Sequence, residues 1–350
     1  MRLGLLLFAL VVAGCGPQTD TDAQRLPSSV DAGTPVVEPR DSGVQPVSDA
    51  GSRSDAGSQS PDAGALAPDS GSEPVADAGA PSPADAGVEP EDEDAPDYRE
   101  RGEIQVQREE LRVQATQRCT MTAVRFTPET PIADGYALVL HGFSRGRAQF
   151  LGWGEHLASH GIETVVSDLC HASISGVDPV AGGEAIDTLI QNIGDEPVVI
   201  VGHSAGSMAA LVAGSRSDST VAVLGLDPVA PNEGDLSGDA TELDGMLAGL
   251  IGDPSQCNSN NSGVDVYRQG NAQMLSVAGA THCDFEAPTN FLCTATCGGS
   301  GGESVQASIR QLATAFVAWK LGVEAAAAWW NESSNALDNL IESGQVRPVR

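Results

Sequence analysis

Residues 197–211 read Pro197-Val198-Val199-Ile200-Val201-Gly202-His203-Ser204-Ala205-Gly206-Ser207-Met208-Ala209-Ala210-Leu211. The β-branched run Val198 to Val201 predicts a short strand buried on both faces. Met208 to Leu211 has helical composition. Between them, Gly202-His203-Ser204-Ala205-Gly206 is Gly-x-Ser-x-Gly, the pattern of a sharp strand-to-helix turn. Such a turn has no room for side chains on its flanks, which accounts for both glycines. It lifts the serine hydroxyl above the sheet and sets it at a helix N-terminus, where the dipole favours developing negative charge. The backbone N–H of Ala205 then points where an oxyanion would form.

The same alternation of buried strand and helix extends in both directions. Upstream, Leu111 to Thr116 and Met121 to Phe126 alternate apolar and polar residues, as half-buried strands do. Tyr136 to Leu140 and Ile162 to Val166 are continuous apolar runs, with a helix predicted at Phe150 to Ser159. Glu184 to Ile193 reads as another helix. Downstream come strands at Val221 to Leu226 and Met274 to Val277, and an amphipathic helix at Val305 to Leu321. Met246 to Ile251 fits either a strand or a helix, since Leu243, Leu247 and Leu250 also have helical spacing. The expected fold class is α/β, with a mostly parallel central sheet covered by helices on both faces.

A serine at such a turn needs a base, and the chain holds six histidines: His141, His156, His160, His171, His203 and His282. Enzymes with this turn run Ser, then Asp or Glu, then His along the chain. Only His282 follows Ser204, in a loop after the Met274 strand, so it is the candidate base. Two acids fit. Asp227 ends the Val221 strand and Asp253 follows Ile251, and each precedes a proline, which suits a strand end. The loop after Leu140, His141-Gly142-Phe143, offers the N–H of Phe143 as a second oxyanion donor beside that of Ala205. No Cys/His spacing of zinc type is present, and the Gly298 to Gly302 run lacks a following Lys and reads as a flexible loop. Neither metal nor cofactor is expected.

From about Leu111 to Leu321 the chain resembles the chlorophyllase and polyester-hydrolase, or cutinase-like, branch of the α/β hydrolases. The resemblance rests on Leu140-His141-Gly142-Phe143, Gly202-His203-Ser204-Ala205-Gly206, Leu226-Asp227-Pro228-Val229 and Gly279-Ala280-Thr281-His282. It implies the α/β-hydrolase fold and hydrolysis of a carboxylic ester through an acyl-enzyme on a Ser204–Asp–His282 triad. Leu226 to Val229 resembles the chlorophyllase-like strand end that supplies the acid, which favours Asp227. The Gly-Ala-Thr-His segment is closer to the polyester hydrolases, whose acid lies one strand later, at Asp253. The alternatives are amide, thioester or peptide cleavage on the same residues, or a non-catalytic surface-binding protein on this scaffold. In this fold the second strand runs antiparallel beside the fourth, which brings Cys119 within bridging distance of Cys170. The remaining Cys257, Cys283, Cys293 and Cys297 are expected to pair among themselves around the His282 loop.

Composition divides the 350 residues. Met1 to Val12 is a basic start and a short apolar run, followed by Ala13-Gly14-Cys15, the layout of a signal peptide. Val12-Ala13-Gly14-Cys15 resembles the bacterial lipobox. That implies cleavage before Cys15, diacylglycerol on its sulfur and, with Gly16 following, an anchor in the outer membrane of the cell envelope. Residues 16–102 repeat Asp-Ala-Gly at irregular intervals and read as a disordered acidic tether, with a reach of about 50 Å. A core is expected from 103 to 350. The formal net charge of −30 excludes nucleic acid as a partner, because phosphate binding needs a basic face. The expected partners are a small-molecule or polymeric ester and, through Cys15, a membrane; the chain is expected to be a monomer.

Overall fold

The computed structural model describes residues 95–173, 176–231 and 235–350. The chain divides into two units, Met1–Gly79 and Ala80–Arg350, and every described residue lies in the second. The expected leader, lipidation at Cys15 and the tether as far as residue 94 lie outside the described residues.

Nine strands form one sheet: β1 (Val106–Thr116), β2 (Cys119–Pro128), β3 (Tyr136–Leu140), β4 (Glu163–Ser167), β5 (Val198–His203), β6 (Thr220–Leu226), β7 (Met246–Ile251), β8 (Gln273–Val277) and β9 (Val346–Pro348). Their order across the sheet is β1-β2-β4-β3-β5-β6-β7-β8-β9. From β4 to β8 every pairing is parallel; β1, β2 and β9 add antiparallel edges. The ambiguous run Met246–Ile251 is a strand, in parallel register with Ala222–Leu226 on one side and Gln273–Ser276 on the other.

The strand period of two sorts side chains onto two cores. Ala137, Val139, Val199, Val201, Leu224 and Leu250 face one, together with helices α1 (Leu151–Ser159) and α7 (Glu303–Lys320). Leu138, Leu140, Val198, Ile200 and Val223 face the other, with α2 (Pro179–Ile193), α3 (Gly206–Gly214), α4 (Ser237–Glu242) and α5 (Val264–Gln269). The expectation of helices on both faces of a mostly parallel sheet is met at this level. Helix α3 is buried all round, so its amphipathic contrast is lost and its composition alone marked it.

Residues 95–102, assigned by composition to the tether, are packed on this domain. Tyr98 is buried and its N–H donates to Gln311 Oε1 at 2.8 Å. The Pro96 carbonyl accepts from Gln311 Nε2 at 3.0 Å and from Trp329 Nε1 at 2.9 Å. The Gly102 N–H donates to Ser159 Oγ at 2.9 Å. Ala95-Pro96-Asp97 has the tether's composition, and Tyr98 supplies the apolar surface that makes docking favourable.

Candidate active site

The turn after β5 is as tight as its glycines require. A Cβ on Gly206 would lie 2.1 Å from the His141 carbonyl oxygen, and one on Gly202 would lie 2.6 Å from Ser207 Cα. Between them Ser204 takes φ 55°, the left-handed region that costs a non-glycine residue about 1–3 kcal/mol. Neighbouring backbone holds it there. Ser204 N–H donates to Leu226 O at 2.9 Å, and Val229 N–H donates to Ser204 O at 3.2 Å.

Three side chains from three strand ends converge. His282, in a short 3-10 turn (His282–Phe285) after β8, places Nε2 3.0 Å from Ser204 Oγ. Its Nδ1 lies 2.6 Å from Asp227 Oδ2. With a carboxylate at Nδ1, that nitrogen carries the proton and donates, leaving Nε2 as acceptor for the serine hydroxyl. Asp227 follows β6, is fully buried and also has positive φ, 47°. Its Oδ1 accepts the Gly252 N–H at 2.9 Å, and the Asn258 side-chain amide lies 3.2–3.3 Å from both oxygens. Asp253, the other candidate acid, is exposed; its N–H donates to Ala280 O and its carboxylate makes no hydrogen bond among the described residues.

Phe143 and Ala205 border the cleft that Ser204 opens into, and neither N–H has an acceptor among the described residues. The loop that carries Phe143 is fixed by His141. Leu169 N–H donates to His141 Nε2 at 3.0 Å, so Nδ1 holds the proton and donates to the Gly142 carbonyl at 2.8 Å. Burial lowers the His141 pKa and favours this neutral form. His203 stacks against His282 with ring centroids 4.6 Å apart and donates from Nε2 to the His282 carbonyl at 3.1 Å. Full burial holds His203 well below the ordinary histidine pKa.

Of the remaining supports only Asp284 has a local signal, since Thr281-His282-Cys283-Asp284 has the spacing of a capping box. Buried Asp284 accepts the Thr281 N–H and hydroxyl at 2.8 and 2.9 Å and the Gly301 N–H at 2.8 Å. The Gly298–Gly302 run, expected to be flexible, is thereby tied to the His282 loop. Arg145 on the Phe143 loop pairs with Glu286, whose side chain is fully buried, and so links that loop to the His282 turn. Asn258 sits in a run of Ser, Asn and Gly that reads only as a loop.

All six described cysteines are bridged: Cys119–Cys170, Cys257–Cys297 and Cys283–Cys293, with Cα separations of 6.0, 5.6 and 5.9 Å. The sulfurs of Cys283, Cys293 and Cys297 lie within 4.8 Å of one another, but disulfide bonding removes the thiolates a metal would need. Two bridges converge on helix α6 (Phe291–Thr296): Cys293 joins it to the neighbour of His282, and Cys297 joins its end to the neighbour of Asn258. Leu292 on α6 and the Cys257–Cys297 bridge line one side of the cleft, and Phe143, Val177, Met208, Val229 and Pro231 line others. The cleft encloses about 710 Å³. A wider depression of about 890 Å³ beside Trp319 and Trp330 contains none of these groups. No protein-family model and no curated protein matches the chain in sequence.

Proposed function

We propose that the chain is a serine hydrolase of the α/β-hydrolase fold that cleaves carboxylic esters through an acyl-enzyme. The observation that carries this reading is the unbroken chain Ser204 Oγ, His282 Nε2, His282 Nδ1, Asp227 Oδ2, with steps of 3.0 Å and 2.6 Å, opening into a cleft. The position of Ser204 at a strand-to-helix turn and the antiparallel β2 beside β4 support the fold. Three disulfides in one domain support an oxidising, exported setting.

In this mechanism Ser204 Oγ attacks the ester carbonyl carbon while its proton passes to His282 Nε2. The tetrahedral oxyanion accepts hydrogen bonds from the Phe143 and Ala205 N–H groups. His282 then protonates the departing alcohol, and the acyl group remains on Ser204. Water, deprotonated by His282, attacks the acyl carbon, and the acid is released with the serine restored. Asp227 keeps the proton on His282 Nδ1 and stabilises the imidazolium. The mostly apolar walls suit an ester with an apolar acyl or alcohol part.

The test is Ser204→Ala. The variant should keep its fold, lose hydrolysis of short nitrophenyl esters and lose labelling by a fluorophosphonate. Full esterase activity in the purified variant, free of contaminating enzyme, would falsify the reading. A panel of matched esters and anilides measures the ester preference.

A further inference from the structure

The acid of this site is held by a side chain that the mechanism above does not use. Asn258 is completely buried. Its Nδ2 lies 3.2 Å from Asp227 Oδ2, 3.3 Å from Asp227 Oδ1 and 2.9 Å from the Asp253 carbonyl. Its Oδ1 accepts the N–H groups of Ser255, at 2.8 Å, and Asn261, at 3.3 Å. That pattern fixes the amide orientation. Reversed, the oxygen would face a carboxylate and a carbonyl, and the nitrogen would face two donors. The loop is shaped to deliver this amide, since Ser259, Asn260 and Asn261 all take positive φ, at 49°, 55° and 62°. Such a run is uncommon for residues with side chains.

The clamp is also anchored covalently. Cys257, the residue before Asn258, is bonded to Cys297 at the end of α6. Cys293 in that helix is bonded to Cys283, the residue after His282. A six-residue helix therefore joins the acid's holder to the base through two bridges. The titratable groups facing Asn258 are Asp227 and, beyond it, His282 with His203 stacked on it. Asp253 contributes its backbone carbonyl, and its own carboxylate is exposed.

We infer that Asn258 is the positioning residue of the triad acid: it clamps the Asp227 carboxylate against His282 Nδ1, and the Cys257–Cys297 bridge holds the clamp in register. This rests on the hydrolase reading and extends it. A residue that merely closes its own turn would need only the Oδ1 contacts, and the two roles separate in one substitution. Asn258→Asp keeps an acceptor for Ser255 and Asn261 but replaces the donor with a second carboxylate.

Near pH 8 the kcat of Asn258→Asp should fall about 30-fold or more with KM within about twofold, because Asp227 now faces a like charge. Two carboxyl groups at this distance share a proton, so the variant-to-wild-type activity ratio should climb as pH falls from about 8 to about 6. A second variant, Cys257→Ser with Cys297→Ser, removes none of the clamp's hydrogen-bonding groups but frees the loop that carries them. It should lower kcat about tenfold and shift the low-field Nδ1–H proton resonance of His282. Unchanged kcat and an unmoved resonance in this variant, or a pH-independent ratio in Asn258→Asp, overturn the assignment. A wild-type chain that takes no fluorophosphonate label instead refutes the hydrolase reading, and this one with it.

Discussion

Asp227→Asn should be far more damaging than its size suggests, because the surroundings of Asp227 dictate how an amide can sit there. In the native site Oδ2 accepts from His282 Nδ1, and Oδ1 accepts from the Gly252 N–H. An asparagine must choose. If its oxygen faces His282, its NH2 meets the Gly252 N–H, another donor, while the Asn258 amide still reaches that oxygen and the Asp253 carbonyl. That buries two unpaired donors at about 1–3 kcal/mol each. If its NH2 faces His282, Gly252 and Asn258 keep an acceptor, but Nδ1 must now accept. The imidazole proton then moves to Nε2, pointing at Ser204 Oγ, and the base can no longer take the serine proton. The second arrangement is cheaper by about 2–6 kcal/mol. The variant should therefore fold and lose about 10³–10⁴ in kcat, close to what a wrong imidazole tautomer costs in a serine protease triad. Asp253→Asn changes an exposed carboxylate that makes no hydrogen bond among the described residues, and its kcat should stay within about twofold. Initial rates on a nitrophenyl ester, with melting curves to verify folding, compare the two. If Asp253→Asn loses more than Asp227→Asn, or Asp227→Asn loses less than about tenfold, the tautomer reasoning fails.

Two further outcomes follow from the described geometry. Replacing both Cys119 and Cys170 by Ser opens a bridge with a sequence separation of 51 residues, which chain-entropy scaling equates to about 4 kcal/mol. Denaturant melts should show that loss, while the activity of the still-folded protein is kept; an unchanged midpoint would contradict it. Acid should destabilise the domain through its buried histidines. Burial lowers His156 from 6.5 to about 3, so the native state stays neutral while the unfolded chain binds a proton. Stability is complete above about pH 6.5 and declines by up to about 1.4 kcal/mol per unit as pH falls toward about 3. His141 and His203 act in the same direction. The melting temperature should drop across that window and His156→Leu should flatten the slope; a flat wild-type profile refutes this.

The parallel strands were legible because burial on both faces leaves continuous apolar runs, as in Tyr136–Leu140 and Val198–Val201. Ser204 and His282 were legible through turn chemistry and chain order. The acid was not, since Asp227 and Asp253 both end strands and both precede a proline. The backbone separates them: Asp227 turns inward at φ 47° under the Leu250 carbonyl, whereas Asp253 is pinned to Ala280 with its carboxylate outward. Strand β9 was missed because Val346 is its one buried residue, and three residues carry no period. Helix α8 (Asn335–Glu342) was missed although Ala336, Leu337, Leu340 and Ile341 have helical spacing; its apolar face, which packs on the Glu324–Trp329 turn and β9, is only about two turns long. Asn258 acts through contacts with residues 31 positions away, which no local pattern encodes.

Helix α6 carries two exposed apolar side chains, Phe291 and Leu292, beside the opening to Ser204. In another setting that would describe a hinged cover awaiting a greasy surface. Here Cys293 and Cys297 stitch both the middle and the end of the helix to the frame of the doorway. It is a jamb, not a door. Among the described residues no panel has to move aside at this threshold, so on the hydrolase reading progress curves on a soluble nitrophenyl ester should show no lag, with or without a lipid or polymer surface.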